Sequence, residues 1–219
     1  MILSDNRYTV DYFQKFPRNI RKVGVMMSGG ADSTLVLYCL AKTLTERKQF
    51  NTTIYLYHHV LERYKQLDTV PPTLYILNYI RSTFPDVKIK DPDYVVMNEN
   101  IQSKFLHGMR SVFKLSIKHK VLLWLGGTLE DELHNMLPPK VRNTPWLKKL
   151  VLFILPWRFP WGTVDKKFVA NTYKSLGIEH LALHTNTCIM DTPFNNPCME
   201  CVWCKKRFEA FGNYGGLEV

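Results

Sequence analysis

The chain has 219 residues, of which 29 are basic and 19 acidic, giving a net charge of +10. This length suits one domain with a full hydrophobic core. The longest apolar run, at 147–157, is interrupted by lysines, which excludes a membrane span, and the first residues do not form a secretory signal. We expect a cytoplasmic protein without a membrane partner, whose charge suits an anionic ligand and does not require a nucleic acid.

A glycine turn is the most informative stretch of the sequence. The apolar residues 23–27 end in Ser28-Gly29-Gly30-Ala31-Asp32-Ser33, and an apolar helix is predicted over about 33–47. Paired glycines allow backbone N–H groups to converge on an anion, and the helix directs its positive end to the same place. The sequence lacks the Gly-Lys pair of a Walker loop, and the glycine spacing does not fit a dinucleotide fingerprint. The pattern favours a phosphate or pyrophosphate site over an ordinary tight turn.

Further strands and helices alternate along the chain. Strands are predicted at 52–57 and 121–125, helices at 72–84, 101–120 and 163–176, and short strand-like pieces at 87–97. Residues 1–20 are consistent with a short helix packed on the edge of the domain or on a partner subunit. The alternation predicts an α/β fold, an open parallel sheet with helices on both faces. Ligands bind beyond the carboxyl ends of such strands, so the glycine turn, His58 and His59, and residues 126–131 should line one crevice.

Four cysteines close to the end of the chain have metal-ligand spacing. Cys188, Cys198, Cys201 and Cys204 form the pattern C-x9-C-x2-C-x2-C. Four thiolates suit a tetrahedral Zn²⁺ site without an open position, which is structural rather than catalytic. An iron–sulfur cluster is the alternative for the same ligands.

The complete Ser-Gly-Gly-x-Asp-Ser motif at 28–33 resembles that of the PP-loop ATP pyrophosphatases, in which it holds the pyrophosphate of ATP while a substrate is adenylated. The resemblance implies an adenine nucleotide alpha-hydrolase-like, Rossmann-like fold and the cofactors ATP and Mg²⁺. It implies nucleotide contacts at Ser28, Gly29, Gly30, Ala31, Asp32, Ser33, His58, His59, Gly126, Thr128 and Lys166.

The same resemblance implies three catalytic side chains. Lys166 would reach the pyrophosphate, Asp32 would contact magnesium, and Asp131, like Thr128, would contact the substrate or magnesium. The structural alternatives are helix-capping roles for the two aspartates and a solvated helix lysine at 166, with Lys167 as the other lysine available for the phosphate. For His58 and His59 the alternative is a solvated loop.

Over residues 21–211 the chain is similar to the 7-cyano-7-deazaguanine synthase family. The similarity is carried by the turn at 28–33 and by C-x2-C-x2-C-x2-Arg-x3-Phe, which ends at Arg207 and Phe211. It implies Zn²⁺ on the four cysteines and conversion of 7-carboxy-7-deazaguanine with ammonia and ATP to an amide and then a nitrile, in a homodimer. The family's Tyr-Pro-Asp-Cys-Arg-like segment is absent at 131–140, so the acceptor and the stopping point at the amide remain open. A sulfur-inserting RNA-modifying enzyme and a non-enzymatic zinc module that binds nucleic acid are the alternatives.

These features divide the chain into two parts. Residues 1–187 are expected to form the PP-loop domain, with an extension at 1–20, and residues 188–219 the zinc-binding segment. The proline- and tryptophan-rich stretch at 137–162 is long for a connection and is interpreted as a lid or substrate flap.

Overall fold

The computed structural model describes residues 1–12, 20–61, 70–97, 114, 116–118, 120–126, 157–158, 160–188 and 195–216. The strands are β1 (Ile2–Ser4), β2 (Thr9–Asp11), β3 (Lys22–Met27), β4 (Thr53–Leu61), β5 (Lys88–Ile89), β6 (Asp93–Met97), β7 (Leu122–Leu125) and β8 (Trp157–Arg158). The helices are α1 (Ala31–Glu46), α2 (Val70–Thr83), α3 (Lys166–Ser175), α4 (Glu179–Leu183) and α5 (Val202–Phe211).

Six of the strands form one parallel sheet. Its order is β5-β4-β3-β7-β8, with β6 also paired to β4. Strand β3 lies at the centre and pairs in parallel with β4 and β7. Because all the pairs are parallel, the carboxyl ends of the strands share one edge. The predicted open parallel, Rossmann-like sheet is confirmed.

The main core lies between β3 and α1. Alternate residues Val23, Val25 and Met27 are buried on this face of β3. Helix α1 is buried around most of its circumference because α2, α3 and α4 all contact it. A second apolar cluster, which includes Tyr57 and Leu123, lies apart from this core. The near-continuous apolar character of β3 and β7 follows from burial on both faces.

The first residues differ from the expected helix. Strands β1 and β2 form an antiparallel hairpin in which Leu3 and Val10 face the core. Tyr12 is buried, and its hydroxyl donates to the carbonyl of Val36 at 2.7 Å. The polar residues between the aromatic ones face the solvent. Polar and apolar residues alternate here with a period of two, which fits the strands of a hairpin better than a helix. The short-helix interpretation of this segment is therefore wrong over residues 1–12.

Other boundaries shift for identifiable reasons. Strand β4 runs to Leu61, so His58 and His59 lie within a strand rather than in a loop after it, because β6 pairs with residues 57–61. Helix α3 begins at Lys166, since the Asp165 side chain accepts a hydrogen bond from the amide of Phe168 and caps it. The pieces predicted at 87–97 are β5 and β6. Most of the helix predicted at 101–120 and of the flap predicted at 137–162 lies outside the described residues.

Helix α5, in the predicted zinc-binding segment, packs against α3. Phe211 meets Tyr173 edge-on with ring centroids 5.7 Å apart. No helix among the described residues is both long enough and apolar enough to cross a bilayer.

Candidate functional site

A sharp bend follows β3 at the carboxyl edge of the sheet; we call residues 28–33 the glycine corner. Gly29 has φ of 77°, a conformation that strongly favours glycine. Gly30 is the N-cap of α1 and is extended, and no side chain caps the helix there. The amides of a first helical turn have no partner within the helix, and the helix dipole adds positive potential. The corner therefore has the backbone arrangement of an anion site.

The two serines of the glycine corner have different surroundings. The Ser33 hydroxyl is buried, accepts from the amide of Ser28 at 3.2 Å and donates to the carbonyl of Gly30 at 3.0 Å. Ser28 is exposed, with its Oγ 3.2 Å from that of Ser33. Ser33 thus holds the shape of the bend, while Ser28 presents a hydroxyl at the surface.

A charged pair stands beside the glycine corner. The Lys166 ammonium, at the start of α3, forms a close ion pair with Oδ2 of Asp32 in the first turn of α1. Their side chains are only 6% and 16% exposed. Oδ1 of Asp32 is buried and has no hydrogen-bond partner among the described residues. A buried carboxylate oxygen without a donor fits a ligand for Mg²⁺, which prefers oxygen, and the Lys166 ammonium is a cation of the kind that binds phosphate.

Two aromatic side chains that sequence reasoning missed fix the first turn of α1. The Tyr173 hydroxyl donates to the carbonyl of Ala31 at 2.7 Å, and Trp161 Nε1 donates to the carbonyl of Asp32 at 3.2 Å. Both rings are fully buried. Burial raises the pKa of Tyr173 well above its ordinary value, so it remains a donor. No local pattern points to these contacts, because each joins residues more than a hundred positions apart.

Gly126 lies directly under the same turn. A Cβ on this residue would stand 2.5 Å from the amide nitrogen of Ser33 and 2.6 Å from the carbonyl carbon of Asp32. The end of β7 therefore touches the backbone of α1, and the structure gives Gly126 a close packing role at the glycine corner.

We expect Gly126→Ala to destabilise the protein by about 1–3 kcal/mol, as overpacking against backbone does, and to displace the first turn of α1. Denaturant unfolding measures the first effect. Gly177→Ala is an informative comparison, because a Cβ there meets nothing within 4 Å and the cost arises from its φ of 67° alone. A loss of stability in Gly126→Ala no larger than that in Gly177→Ala would contradict the packing role of Gly126.

His58 is fully buried in β4, where it is paired with Met27, the last residue before the glycine corner. Its ring meets Tyr94 edge-on at 5.7 Å. Burial lowers the pKa of His58 from 6.5 to about 4, so the imidazole is neutral at pH 7. A neutral, enclosed histidine in this position supports the strand beside the glycine corner and carries no charge to a phosphate.

This burial predicts an acid-sensitive fold. Because the pKa is lower in the folded protein, the unfolded chain binds the proton first. The stability contribution is complete above pH 6.5 and is lost as the pH falls towards 4, at a cost of about 3 kcal/mol. His58→Gln should flatten the dependence of the melting temperature on pH in this window, compared with the unsubstituted protein. An unchanged slope in His58→Gln would contradict the assignment.

The remaining predicted nucleotide contacts are placed as follows. Thr128 and Asp131 lie outside the described residues, and so does the side chain of His59. Lys167, the other lysine considered for the phosphate, is exposed, whereas Lys166 faces Asp32.

The four cysteines predicted as metal ligands do come together. The Sγ atoms of Cys188, Cys198, Cys201 and Cys204 all lie within 4.8 Å of one another; we call them the four-cysteine cluster. None of them forms a disulfide. Sulfurs about 2.3 Å from a tetrahedral zinc ion would stand about 3.8 Å apart, and the sulfurs of Cys198 and Cys204 are 3.9 Å apart. The residues present therefore fit a tetrathiolate metal.

Backbone amides support the thiolate form. The amides of Cys198, Cys201 and Cys204 point at the sulfurs of Cys188, Cys198 and Cys201 at 3.5, 3.3 and 3.4 Å. The Cys201 amide lowers the pKa of the Cys198 thiol to about 7, whereas burial raises the pKa of Cys204. The start of α5, capped by Cys201, brings its positive end to the cluster.

Likenesses to known proteins are found among solved structures. No protein-family model and no curated protein sequence matches the chain. Among solved structures it is similar to "U34-tRNA thiolase NcsA from Methanococcus maripaludis with its [4Fe-4S] cluster", with 18% identity and a TM-score of 0.45. The match covers 73% of this chain and 57% of that one, so this chain spans less than two thirds of that protein. At this level of identity the likeness concerns the fold alone.

Proposed function

We propose that this protein is an ATP-dependent enzyme of the PP-loop type, which binds the pyrophosphate of ATP at the glycine corner and transfers the adenylyl group to an acceptor. The observation that carries the proposal is the juxtaposition at one sheet edge of the bend at Gly29, the uncapped start of α1 and the Lys166–Asp32 pair. A tight βα turn that only connected two elements would not need a buried cation and a carboxylate oxygen without a donor.

Each group has a role in this chemistry. The first-turn amides of α1 and the Ser28 hydroxyl bind phosphate oxygens, and Lys166 neutralises their charge. Asp32 holds Mg²⁺, which offsets the negative charge of the triphosphate. Lys166 and Asp32 are paired with each other here, so nucleotide binding exchanges that contact for ammonium–phosphate and carboxylate–metal contacts.

For the acceptor we propose the carboxylate of 7-carboxy-7-deazaguanine, with ammonia as the second substrate. A carboxylate oxygen attacks the α-phosphorus, the bond to the α,β-bridging oxygen breaks, and pyrophosphate leaves. Ammonia then attacks the acyl carbon and AMP leaves with the oxygen. A second ATP activates the amide oxygen in the same way for nitrile formation. The chain supplies positioning and charge neutralisation, and no protein nucleophile is required.

This acceptor rests on the motif at 28–33 together with the Cys-x2-Cys-x2-Cys-x2-Arg run, which ends at Arg207. We also propose Zn²⁺ as the metal of the four-cysteine cluster, and a homodimer as the working form. A four-thiolate zinc site has no open position and stabilises the fold.

Sulfur transfer to RNA is the second candidate. The observation that favours it is the short path between the two sites, since Asn186 contacts Gly29 while Cys188 belongs to the four-cysteine cluster. An iron–sulfur cluster on these cysteines would favour this candidate, and zinc would favour the first.

The test is turnover of ATP with Mg²⁺, ammonium and 7-carboxy-7-deazaguanine, followed by analysis of the nucleotide products. We expect AMP and pyrophosphate in amounts that depend on the carboxylate. Turnover that depends on RNA and a sulfur donor instead would select the second candidate. Release of ADP, or no turnover with either acceptor class, would contradict the proposal.

A further inference from the structure

Residues 185–188, which we call the bridging segment, join the two sites. The amide of Asn186 donates to the carbonyl of Gly29 at 3.0 Å. The Asn186 carbonyl oxygen and the Thr187 Cγ2 are 3.7 and 3.8 Å from the point where a Cβ of Gly30 would lie. The bridging segment therefore forms a wall of the glycine corner.

The other end of the bridging segment belongs to the four-cysteine cluster. Cys188 supplies one sulfur, and its amide donates to the side-chain carbonyl of Asn186 at 2.6 Å. One asparagine thus bonds the glycine corner through its backbone and the first cysteine of the cluster through its side chain.

Arg207 connects the bridging segment to α5. It lies three residues after Cys204 on the buried face of α5 and is itself fully buried. One of its terminal nitrogens donates to Oγ1 of Thr185 at 2.8 Å, and the other donates to the carbonyl of Ala182 and to Oδ1 of Asn213. Helix α5 is therefore hydrogen-bonded directly to Thr185, the residue before Asn186.

The fit around Arg207 is tight. A Cβ on Gly215 would stand 2.1 Å from the Thr185 carbonyl oxygen and 2.4 Å from a guanidinium nitrogen. Burial lowers the pKa of Arg207 to about 10, which leaves it charged at neutral pH. Its hydrogen-bond acceptors among the described residues are neutral oxygens. Its guanidinium carbon also lies 5.1 Å from the centroid of the Phe211 ring. A buried cation that relies on these oxygens and one ring holds them in one arrangement, because losing any of them leaves its charge poorly satisfied.

We propose that Arg207 is a positioning residue, which couples metal binding at the four-cysteine cluster to anion binding at the glycine corner through the bridging segment. Only the identity of the anion, the pyrophosphate of ATP, rests on the proposed function. A metal that fixes Cys204 and Cys188 fixes both ends of this connection, and the Asn186–Gly29 hydrogen bond then holds the bend. Coupling of this kind is reciprocal, so an anion at the corner strengthens metal retention by the same factor.

Hydrogen exchange of the zinc-loaded full chain tests the coupling without nucleotide. Arg207→Met should speed exchange of the Asn186 amide and of the amides that follow Gly30 by about tenfold or more, in the range of typical coupling energies. Lys205→Met removes the same charge from an exposed position of the same helix and should leave these amides unchanged. Arg207→Lys should restore part of the protection.

Thr185→Val keeps the side-chain shape and removes one hydrogen-bond acceptor of Arg207. If Arg207→Met fails to fold, hydrogen exchange of Thr185→Val tests the same coupling. Zinc content is measured for every variant, and pyrophosphate is titrated into each with and without a chelator. Unchanged exchange at the glycine corner in both Thr185→Val and Arg207→Met would overturn the coupling. Altered exchange without any binding of pyrophosphate or ATP would leave the structural connection between the four-cysteine cluster and the glycine corner standing, but would contradict the anion site and with it the proposed function.

Discussion

Lys166→Met is expected to lower the rate of ATP turnover by about 100- to 1,000-fold, the loss typical for removal of one group that stabilises transition-state charge. The ammonium is nearly buried beside the first turn of α1, where a charge is poorly screened by solvent. Its loss also leaves the negative charge of the Asp32 carboxylate unpaired, and this charge repels a triphosphate. The unpaired carboxylate should also lower the free energy of unfolding, by about 1–3 kcal/mol.

Lys167→Met is the matched control, since it removes the same charge from the next residue, which is exposed. Steady-state kinetics and thermal unfolding of both variants separate the catalytic role from the structural one. Equal activity in the two variants would contradict the assignment of Lys166. A loss of stability in Lys166→Met without loss of turnover would mean that the Lys166–Asp32 pair is structural and not catalytic.

Cys204→Ser is expected to abolish stoichiometric metal binding. Cys204 is the most buried cysteine of the cluster, and serine oxygen is a poor replacement for a thiolate. Substitution of a residue that is hydrogen-bonded to a metal ligand weakens metal binding about 10- to 100-fold. Substitution of the ligand itself should weaken metal binding further. Binding of structural zinc contributes about 10–16 kcal/mol to the folding of small zinc domains. We therefore expect the packing of α5 on α3 to fail and the melting temperature to fall steeply.

Cys39→Ala provides the control, because Cys39 is buried in α1 and is not part of the four-cysteine cluster. It should retain one equivalent of metal while losing some core packing. Metal analysis and thermal unfolding of the two variants, with and without chelator, check both statements. A Cys204→Ser protein that keeps its full metal content would exclude this cysteine as a ligand.

The glycine corner could be predicted from six consecutive residues because its geometry is local. Gly29 adopts positive φ, Gly30 leaves the start of α1 uncapped, and the preceding apolar run becomes the central strand. The four-cysteine cluster is equally accessible to prediction, since three of the four cysteines lie within seven residues. Short-range features of this kind follow from residue type and spacing.

Features that depend on distant partners could not be predicted. The family resemblance assigns Lys166 and Asp32 to one phosphate site, but their ion pair joins residues 134 positions apart and no local pattern specifies it. The extension of β4 through His58 and His59 arises from pairing with β6, which overrides the weak strand preference of histidine. The buried role of Arg207 depends on oxygens of Ala182 and Thr185, which only the folded chain brings to it.

The most direct test of the central claim is a crystal structure with Mg²⁺ and an ATP analogue that has a methylene group between the α- and β-phosphorus. We expect the β- and γ-phosphates against the first-turn amides of α1 and the Ser28 hydroxyl, with Lys166 turned from Asp32 to a phosphate oxygen. A nucleotide bound elsewhere, with the Lys166–Asp32 pair intact and the glycine corner unoccupied, would contradict it.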